Sequence, residues 1–376
     1  MANGSTVNFD SPQIGWRNLY LHIPFCAGKC GYCAFYSEVC QNATLHTRFL
    51  EHLATQLYNV PADRVDTVYV GGGTPTLLDD ANLQRLIRLI KDNFNLAADA
   101  EISIEANPET LTAEKVALLR TFFTRISVGV QSFNAEFRRR IGRKCSDEAL
   151  CQALDLIRKA KFQHWNCDLI YSLPGQTLDN WQQELMLAAE CGADHISCYS
   201  LTPEENAALG AAFAVDDERE EKMFFLAEKI LAKYGIYRYE ISNYARSGGE
   251  CRHNLNVWRG GLLRGFGPSA ADFDGKTRHI ECASLEKWLA GGAPEVDELA
   301  PAARCNEIFA VNLRTCAGWT PQLWEQVPQH DSWANRLKIA EKLQKTFPGA
   351  LTVMPERIKL SAQGLLYWNN IAEEII

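Results

Sequence analysis

Residues 19–33 read LYLHIPFCAGKCGYC, in which an apolar segment with strand character leads directly into three closely spaced cysteines. Cys26, Cys30 and Cys33 place three thiolates in one short loop, and soft sulfur ligands of this kind favour iron–sulfur clusters. Three cysteines can bind three irons of a 4Fe–4S cubane and leave the fourth iron open, for example to the amino and carboxylate groups of S-adenosylmethionine. The alternative is a structural zinc site, which needs four protein ligands and would have to recruit His22 or Cys40.

A glycine-rich segment follows the next predicted strand. The strand-like residues 67–70 run into Gly71-Gly72-Gly73-Thr74-Pro75-Thr76. Glycines at the end of a strand allow the backbone to approach a ligand closely, and the exposed amides and carbonyls can bind its polar groups. Taken alone, the segment could be a tight strand–helix turn. Next to a cysteine loop on the neighbouring strand, it fits the amino-acid end of S-adenosylmethionine.

The first two-thirds of the chain alternate strand-like and helix-like segments. This alternation predicts parallel strands joined by crossover helices. Six such units are fewer than the eight of a closed barrel, so we predict an α/β fold with an open, partial (βα)6 TIM-like barrel. The predicted strands are 17–23, 67–70, 101–105, 125–131, 165–170 and 195–201, and the predicted helices are 81–94, 113–123, 147–160 and 180–189.

The last third of the chain has a different pattern. Residues 247–267 are rich in Gly and Arg and indicate an irregular connector. Beyond it, helices at 304–314 and 334–347, short strands at 351–360 and a terminal helix at 361–376 indicate a winged-helix-like domain. We therefore divide the chain into residues 1–245, the barrel, residues 246–300, the connector, and residues 301–376, the C-terminal domain.

Composition restricts the partners and the compartment. The 376 residues are 47% hydrophobic, which allows a sizeable core, and the formal net charge of −8 argues against a generic nucleic-acid binder. Thirteen cysteines, an odd number, do not fit a disulfide framework, and the first ten residues lack the basic and apolar regions of a secretory signal. No apolar run reaches the roughly 18 residues of a membrane span. These features predict a reducing, cytoplasmic location.

Polar side chains stand near the ends of three later strands. Glu105, Gln131 and Asp168 occupy these positions. Because the carboxyl ends of parallel strands meet at one end of a barrel, we expect these side chains to share a cleft. Each of them could instead be a structural side chain with internal hydrogen-bond partners. Arg143 is a weaker candidate, since the nearby residues 138–140, all arginine, are most simply an exposed charged face.

Several motifs together resemble the oxygen-independent coproporphyrinogen oxidase-like radical-SAM proteins, and within that family the heme-chaperone branch. The resemblance covers residues 20–35, 71–76, 105–108, 128–133, 168–177 and 239–244, and extends to residues 309–318 and 358–364. It implies that Cys26, Cys30 and Cys33 bind the cluster. The residues that it implies for the S-adenosylmethionine site are Tyr20, Tyr32, Gly72, Gly73, Thr74, Glu105, Gln131, Arg143 and Asp168.

The resemblance also implies a tetrapyrrole-binding segment formed by residues 239–244 and 253–258. His253 would be the heme contact, because imidazole is a common axial ligand of heme iron. In a Gly/Arg-rich loop, the same residue could equally be a surface histidine. The implied partners are heme or a related tetrapyrrole, heme-acceptor proteins and an electron donor. A transient membrane association would follow if the acceptors are membrane complexes.

Two functions follow from the resemblance. The protein is either a heme carrier or an enzyme that decarboxylates coproporphyrinogen propionates by radical chemistry. Oxidases of this family have a further cysteine two residues after the third, where this chain has Phe35, and a longer segment before the first strand. We therefore expect the carrier. Compared with its chaperone branch, the chain lacks a usual tyrosine at Val257 and usual histidines at Ala271 and Cys145, and residues 34–37 read AFYS in place of DFNS.

Overall fold

A large mixed sheet forms the centre of the molecule. The computed structural model describes residues 17–58, 64–202, 207–209 and 216–376. In chain order the strands are β1 (Asn18–Ile23), β2 (Phe25–Cys26), β3 (Glu38–Val39), β4 (Arg64–Gly72), β5 (Asn95–Ala106), β6 (Arg125–Gln131), β7 (His164–Tyr171), β8 (His195–Ser200), β9 (Tyr237–Arg238), β10 (Asn243–Ala245), β11 (Leu263–Phe266), β12 (Ala271–Phe273), β13 (Thr277–Ile280), β14 (Glu295–Glu298), β15 (Leu351–Met354) and β16 (Arg357–Leu360).

Helices connect the strands of this sheet and form most of the C-terminal region. They are α1 (Ala43–Leu57), α2 (Asp80–Asn93), α3 (Ala113–Arg120), α4 (Ala135–Arg140), α5 (Asp147–Ala160), α6 (Leu178–Glu190), α7 (Asp217–Ala232), α8 (Arg252–Trp258), α9 (Leu285–Leu289), α10 (Pro301–Asn312), α11 (Pro321–Trp324), α12 (Trp333–Thr346), α13 (Ala362–Leu366) and α14 (Trp368–Glu373).

The predicted partial barrel is confirmed. Strands β1, β4, β5, β6, β7 and β8 pair in parallel in that order, and a helix follows each of them along the chain. Polar side chains begin these helices as the sequence pattern requires; Asp79, Thr112, Ser146 and Thr177 each accept a hydrogen bond from the first turn of α2, α3, α5 and α6. The six strand–helix units therefore form the α/β fold expected from the alternating pattern.

Alternating residues of the strands face two different environments. Along β7, Asn166, Asp168 and Ile170 line a central cavity, while Cys167 and Leu169 between them are fully buried in the hydrophobic core. This is the period of two that a strand imposes on its side chains. The face towards the helices is apolar, and the inner face of the barrel is mostly polar.

The prediction of an irregular connector at residues 247–267 is wrong. This segment contains the helix α8 and the strand β11, and β11 pairs in parallel with β1, with Leu263 opposite Asn18. The Asn18 amide group also donates a hydrogen bond to the Leu262 carbonyl, with a distance of 2.8 Å. Because the pairing partner lies far away along the chain, the local composition of the segment gave no sign of its strand.

A second hydrophobic core lies in the C-terminal region. The predicted order of two helices, a hairpin and a terminal helical segment is confirmed in α10, α12, the antiparallel pair β15–β16, and α13 with α14. The terminal segment is two short helices that meet at Tyr367, not one. Because this core also includes Phe224 and Phe273, the domain boundaries at 245 and 300 stay a prediction. Within the described part of the chain, no helix is long and apolar enough to cross a membrane.

Candidate functional site

The carboxyl ends of the barrel strands surround a cavity of about 540 Å³. The cysteine loop, the glycine segment and the polar strand ends meet there, as the sequence predicted. Of the residues predicted to bind cofactors, only Tyr20 and His253 are absent from the described residues that line this cavity. The predicted residues that do line it are Cys26, Cys30, Cys33, Tyr32, Gly72, Gly73, Thr74, Glu105, Gln131, Arg143 and Asp168.

Backbone hydrogen bonds hold the cysteine loop at the mouth of the cavity. Strand β2 pairs with β3, and the Cys40 amide donates to the Cys26 carbonyl with a distance of 3.1 Å. At the other end of the loop, the Gly31 amide donates to the Ile141 carbonyl, with a distance of 3.0 Å. The three thiols at positions 26, 30 and 33 are free and half-buried. The loop therefore presents its sulfurs towards the cavity from a fixed backbone.

The donor set fits a cubane better than a zinc ion. No three His, Cys, Asp or Glu side chains of the described residues converge on a point where a single metal ion could be bound. His22, one proposed fourth zinc ligand, already uses both ring nitrogens, which are 3.0 Å from the Tyr20 hydroxyl and 3.0 Å from the Tyr36 carbonyl. A cubane has a different requirement, because each of its three cysteines binds a different iron.

The glycine segment lies directly against the cysteine loop. The Gly73 amide donates to the Ile23 carbonyl at 2.8 Å, and the Thr74 amide donates to the Phe25 carbonyl at 2.7 Å. A Cβ atom on Gly73 would lie 2.6 Å from the Phe25 carbonyl oxygen, so no larger residue fits there. The φ angle of Gly72 is 112°, a backbone conformation that glycine adopts far more readily than other residues. The backbone of this segment can therefore contact a small ligand without interference from side chains.

Glu105 is a half-buried carboxyl group with a raised pKa. It accepts hydrogen bonds from the Tyr69 hydroxyl at 2.9 Å and from the Gly72 amide at 3.0 Å. Burial and the nearby Asp168 raise the pKa of Glu105 to about 7, and the two hydrogen bonds oppose this shift. A cationic ligand group beside Glu105 would restore its negative charge.

Asp168 lies at the centre of a polar network on β6, β7 and β8. Its carboxylate accepts hydrogen bonds from the Ser127 hydroxyl at 2.9 Å and from the Asn166 amide group at 2.6 Å. The side-chain oxygen of Asn166 also accepts a hydrogen bond from His195 Nδ1 at 2.6 Å. Burial raises the pKa of Asp168, while the hydrogen bonds from its neighbours lower it. The network fixes the carboxylate towards the cavity.

Gln131 ends β6 in an unusual backbone conformation. Its φ angle is 66°, and such a conformation costs a non-glycine residue of order 1 kcal/mol or more. The buried carboxylate of Glu184 holds the turn that follows, since it accepts hydrogen bonds from the Ser132 hydroxyl and the Phe133 amide, both at 2.6 Å. The conformation directs the Gln131 side chain to the cavity wall.

The arginines at 138–140 do not behave as one exposed face. Arg139 and Arg140 are exposed, but Arg138 is fully buried and donates to the carbonyls of Ser132 and Cys145. The prediction of an exposed face is therefore wrong for Arg138. A run of arginines looks the same in sequence whether its members are exposed or fix two loops together.

Arg143 is buried at the cavity wall and reveals a residue that sequence reasoning missed. Its guanidinium donates to the Asn107 side-chain oxygen at 2.9 Å and to the Cys30 sulfur at 3.9 Å. Asn107 follows β5 directly, only two residues after Glu105, and also lines the cavity. The motif at residues 105–108 contains both side chains, but an amide at a strand end is a weaker signal in sequence than a carboxylate.

Tyr20 and Tyr32 occupy different positions around the site. The Tyr20 hydroxyl donates to His22 Nδ1 behind the cysteine loop, and its ring stacks on Tyr69 at 6.3 Å between centroids. Tyr32 lies on the cavity wall against a small apolar cluster that includes Phe137 and Ile141. Burial raises the pKa of both tyrosine hydroxyls above the usual value.

His253 is buried, so the alternative of a surface histidine is wrong. It belongs to α8 and is 5% exposed. Its Nδ1 lies 2.8 Å from the Thr67 hydroxyl, its amide donates to Glu101 at 3.0 Å, and its ring packs against Tyr69. Burial lowers the pKa of His253 to about 4, so that the ring is neutral at pH 7.

Comparison with known proteins places the chain in a family. Residues 20–188 match the Radical SAM superfamily. The chain is 39% identical over 274 residues to the protein named heme chaperone HemW of Mycobacterium tuberculosis, and the match covers 69% of this chain and 70% of that one. The chain belongs to the HemW family. The HemW protein of Bacillus subtilis is 28% identical over 382 residues, which cover 94% of this chain and 98% of the relative.

A solved structure shares the overall fold of this HemW family member. Coproporphyrinogen III oxidase (HemN) of Escherichia coli, described as a radical SAM enzyme, superposes with a TM-score of 0.82 at 25% sequence identity. The match covers 96% of this chain and 90% of the oxidase. It agrees with the radical-SAM α/β fold predicted from the sequence.

Proposed function

We propose that this protein binds heme and delivers it to acceptor proteins, and that its barrel holds a 4Fe–4S cluster and S-adenosylmethionine. Membership of the HemW family carries the proposal, through the 39% identity over most of the chain. The site geometry supports the cofactor part, because Cys26, Cys30 and Cys33 line one cavity with the glycine segment. When bound, the cluster supplies the electron that can reduce the sulfonium cofactor.

The residues of the cavity have distinct roles in this proposal. The three cysteines bind three irons, and the backbone of Gly72 and Gly73 contacts the amino-acid end of S-adenosylmethionine. Glu105 lines the cavity and can pair with a cationic group of this ligand, which would offset the burial that raises its pKa to about 7. Asp168 is held by its neighbours and presents its remaining lone pairs to ligand hydroxyls.

His253 is the candidate heme contact, and its tautomer suits a metal ligand. The Thr67 hydroxyl donates to the Asn18 side-chain oxygen at 2.9 Å, so it can only accept from His253 Nδ1. The proton therefore sits on Nδ1, and Nε2 has a free lone pair. Because His253 is buried beneath Tyr69, heme iron can reach it only if α8 moves away from β4.

The oxidase is the second candidate, favoured by the TM-score of 0.82 with HemN. The position of Phe35 argues against it. This side chain is 73% exposed beside the cysteine loop, where the oxidases of the family have a further cysteine. At this position the protein therefore has an exposed phenyl ring and not a fourth cysteine sulfur.

Two parallel assays distinguish the carrier from the oxidase. The reduced, anaerobically reconstituted protein is incubated with S-adenosylmethionine and coproporphyrinogen III, and a second sample is titrated with heme. We expect stoichiometric heme binding and no protoporphyrinogen. Turnover to protoporphyrinogen would overturn the carrier proposal, as would the absence of heme binding.

The carrier proposal implies partners as well as cofactors. They are heme-acceptor proteins and a one-electron donor for the cluster, and we place the protein in the cytoplasm on the basis of its free cysteines. A transient contact with membranes would follow from acceptors that are membrane complexes. Transfer of bound heme to an apoprotein acceptor, followed by its visible spectrum, tests this part directly.

A further inference from the structure

Two of the three cysteine sulfurs are joined by one chain of hydrogen bonds. The Arg143 guanidinium donates through Nη2 to Asn107 Oδ1 at 2.9 Å, and Asn107 Nδ2 donates to Thr74 Oγ1 at 2.8 Å. Thr74 Oγ1 lies 3.6 Å from Cys26 Sγ, within hydrogen-bond range for sulfur. The other end of the guanidinium, Nη1, donates to Cys30 Sγ at 3.9 Å. This series of hydrogen bonds therefore starts and ends on sulfurs of the cysteine loop.

The direction of every bond in this chain follows from its first member. A guanidinium has only donors, so the carbonyl oxygen of Asn107 must face Arg143. The NH2 group of Asn107 then faces Thr74, whose oxygen accepts it. The single hydroxyl hydrogen of Thr74 is left to point at Cys26 Sγ, and a thiolate bound to iron can only accept it.

The buried surroundings strengthen these hydrogen bonds. Thr74 is 3% exposed and Arg143 is 5% exposed, so water competes little for their hydrogen bonds. Hydrogen bonds in such an environment are electrostatically stronger than in water and polarise one another. The side chain of Asn107 has both of its polar atoms in the chain, facing Arg143 and Thr74.

We propose that Asn107 is a positioning residue that turns the Thr74 hydroxyl towards the Cys26 sulfur and thereby raises the reduction potential of the cluster. The inference rests on the proposed function, since it requires a bound cluster. Reduction adds negative charge that the sulfurs share, so a donor to a sulfur stabilises the reduced state more than the oxidised one. Hydrogen bonds to the sulfurs are among the determinants of cluster potentials, and outer ligand partners tune metal sites.

Substitutions at two positions test the direction of the hydroxyl. In Asn107→Asp, both oxygens accept, so Thr74 donates to Asp and turns away from Cys26. Thr74→Val removes the hydroxyl and keeps the shape, whereas Thr74→Ser keeps the hydroxyl. Asn370→Asp on the exposed face of α14 adds the same charge far from the site and serves as the matched control.

The experiment is a potentiometric titration of the anaerobically reconstituted proteins, followed by the EPR signal of the reduced cluster. Iron and sulfide are counted first, and wild-type protein without a cluster would overturn the proposed function itself. At the wild-type midpoint potential, we expect the ratio of reduced to oxidised cluster to fall on the order of tenfold in Thr74→Val and in Asn107→Asp, which is ~59 mV for one electron. Thr74→Ser and Asn370→Asp should keep the wild-type midpoint.

The double variant separates positioning from charge. If Asn107 acts through Thr74, Asn107→Asp shifts the midpoint less in the Thr74→Val background than in wild type. Equal shifts in both backgrounds would overturn the inference. So would a Thr74→Val protein that holds its full iron content at the wild-type potential, and this comparison stands even if the Asn107 variant fails to fold.

Discussion

Binding of S-adenosylmethionine should weaken as the pH falls below 7, because Glu105 must lose its proton to pair with the cationic ligand. The carboxyl group of the unliganded protein has a pKa of about 7, raised by burial. A bound ammonium or sulfonium group lowers that pKa, so binding releases a proton in the window between the two values. The affinity therefore rises with pH up to about 7 and becomes constant above it.

The size of the effect follows from the pKa. If only ionised Glu105 binds the ligand, the apparent dissociation constant is inversely proportional to the ionised fraction and grows tenfold per pH unit well below 7. At pH 5.5 binding should be roughly 30-fold weaker than at pH 8.5, and at pH 7 about twofold weaker. Glu105→Gln should bind weakly at every pH and lose this slope.

Stability should change in the opposite sense. Burial raises the pKa of Glu105 from its usual value of 4.5 to about 7, so its contribution to stability is fully present below pH 4.5 and is lost as the pH rises through 7. Ionisation of this buried carboxyl group therefore lowers the free energy of unfolding by about 3 kcal/mol at pH 8. Glu105→Gln removes the ionisation, but it also loses one hydrogen bond to Tyr69 or Gly72, which costs about 1 kcal/mol. Glu105→Gln should therefore unfold at higher urea concentration than wild type at pH 8 but not at pH 4.5.

Equilibrium dialysis under anaerobic conditions measures the affinity of both proteins from pH 5.5 to pH 8.5. The ligand's own amino group titrates in this range too, and the Glu105→Gln data remove its contribution by subtraction. A wild-type affinity that does not vary between pH 5.5 and 7, or the same slope in the variant, would refute the assignment of Glu105.

Three further predictions concern packing and the heme contact. Arg138→Ala should lower the free energy of unfolding by roughly 2–4 kcal/mol, since it leaves buried carbonyls without donors. Arg139→Ala, on the exposed side, should change it little. Equal urea midpoints for the two variants would contradict this prediction. Gly73→Ala should abolish S-adenosylmethionine binding because its Cβ would clash with the Phe25 carbonyl. The Gly28→Ala variant has open space around its new Cβ and should bind S-adenosylmethionine normally. Similar affinities of the two variants for this ligand would be evidence against a close approach of the Gly73 backbone to it. His253→Ala should weaken heme binding by at least tenfold in a spectroscopic titration, and an unchanged affinity would remove His253 from the proposal.

The fold was predictable where local sequence determines local structure. The six parallel strands and their helices follow from alternating periodicities, and the cavity residues follow from their places at strand ends. The pairing of β11 with β1 was not predictable, because it joins segments that lie far apart in the chain and each has only a short apolar pattern. The same limit applies to α8, a helix of less than two full turns held by packing of His253 against β4.

The site shows a similar division. The spacing of Cys26, Cys30 and Cys33 predicts a cluster site, and the structure brings these residues to one cavity with Gly72 and Gly73. Hydrogen-bonded partners of these residues were harder to find. An asparagine at a strand end looks in sequence like any turn residue, and its role depends on an arginine that reaches it from another loop.

The most direct test of the cofactor proposal is the EPR spectrum of the reduced, anaerobically reconstituted protein before and after S-adenosylmethionine is added. We predict about four irons per chain and a spectrum that changes on addition, because the ligand binds the iron that has no cysteine. Replacement of Cys26, Cys30 and Cys33 together by Ala should remove the signal, and Cys151→Ala, at an exposed thiol on α5, should keep it. A full cluster signal in the triple variant, or a wild-type spectrum that saturating S-adenosylmethionine leaves unchanged, would contradict the proposal.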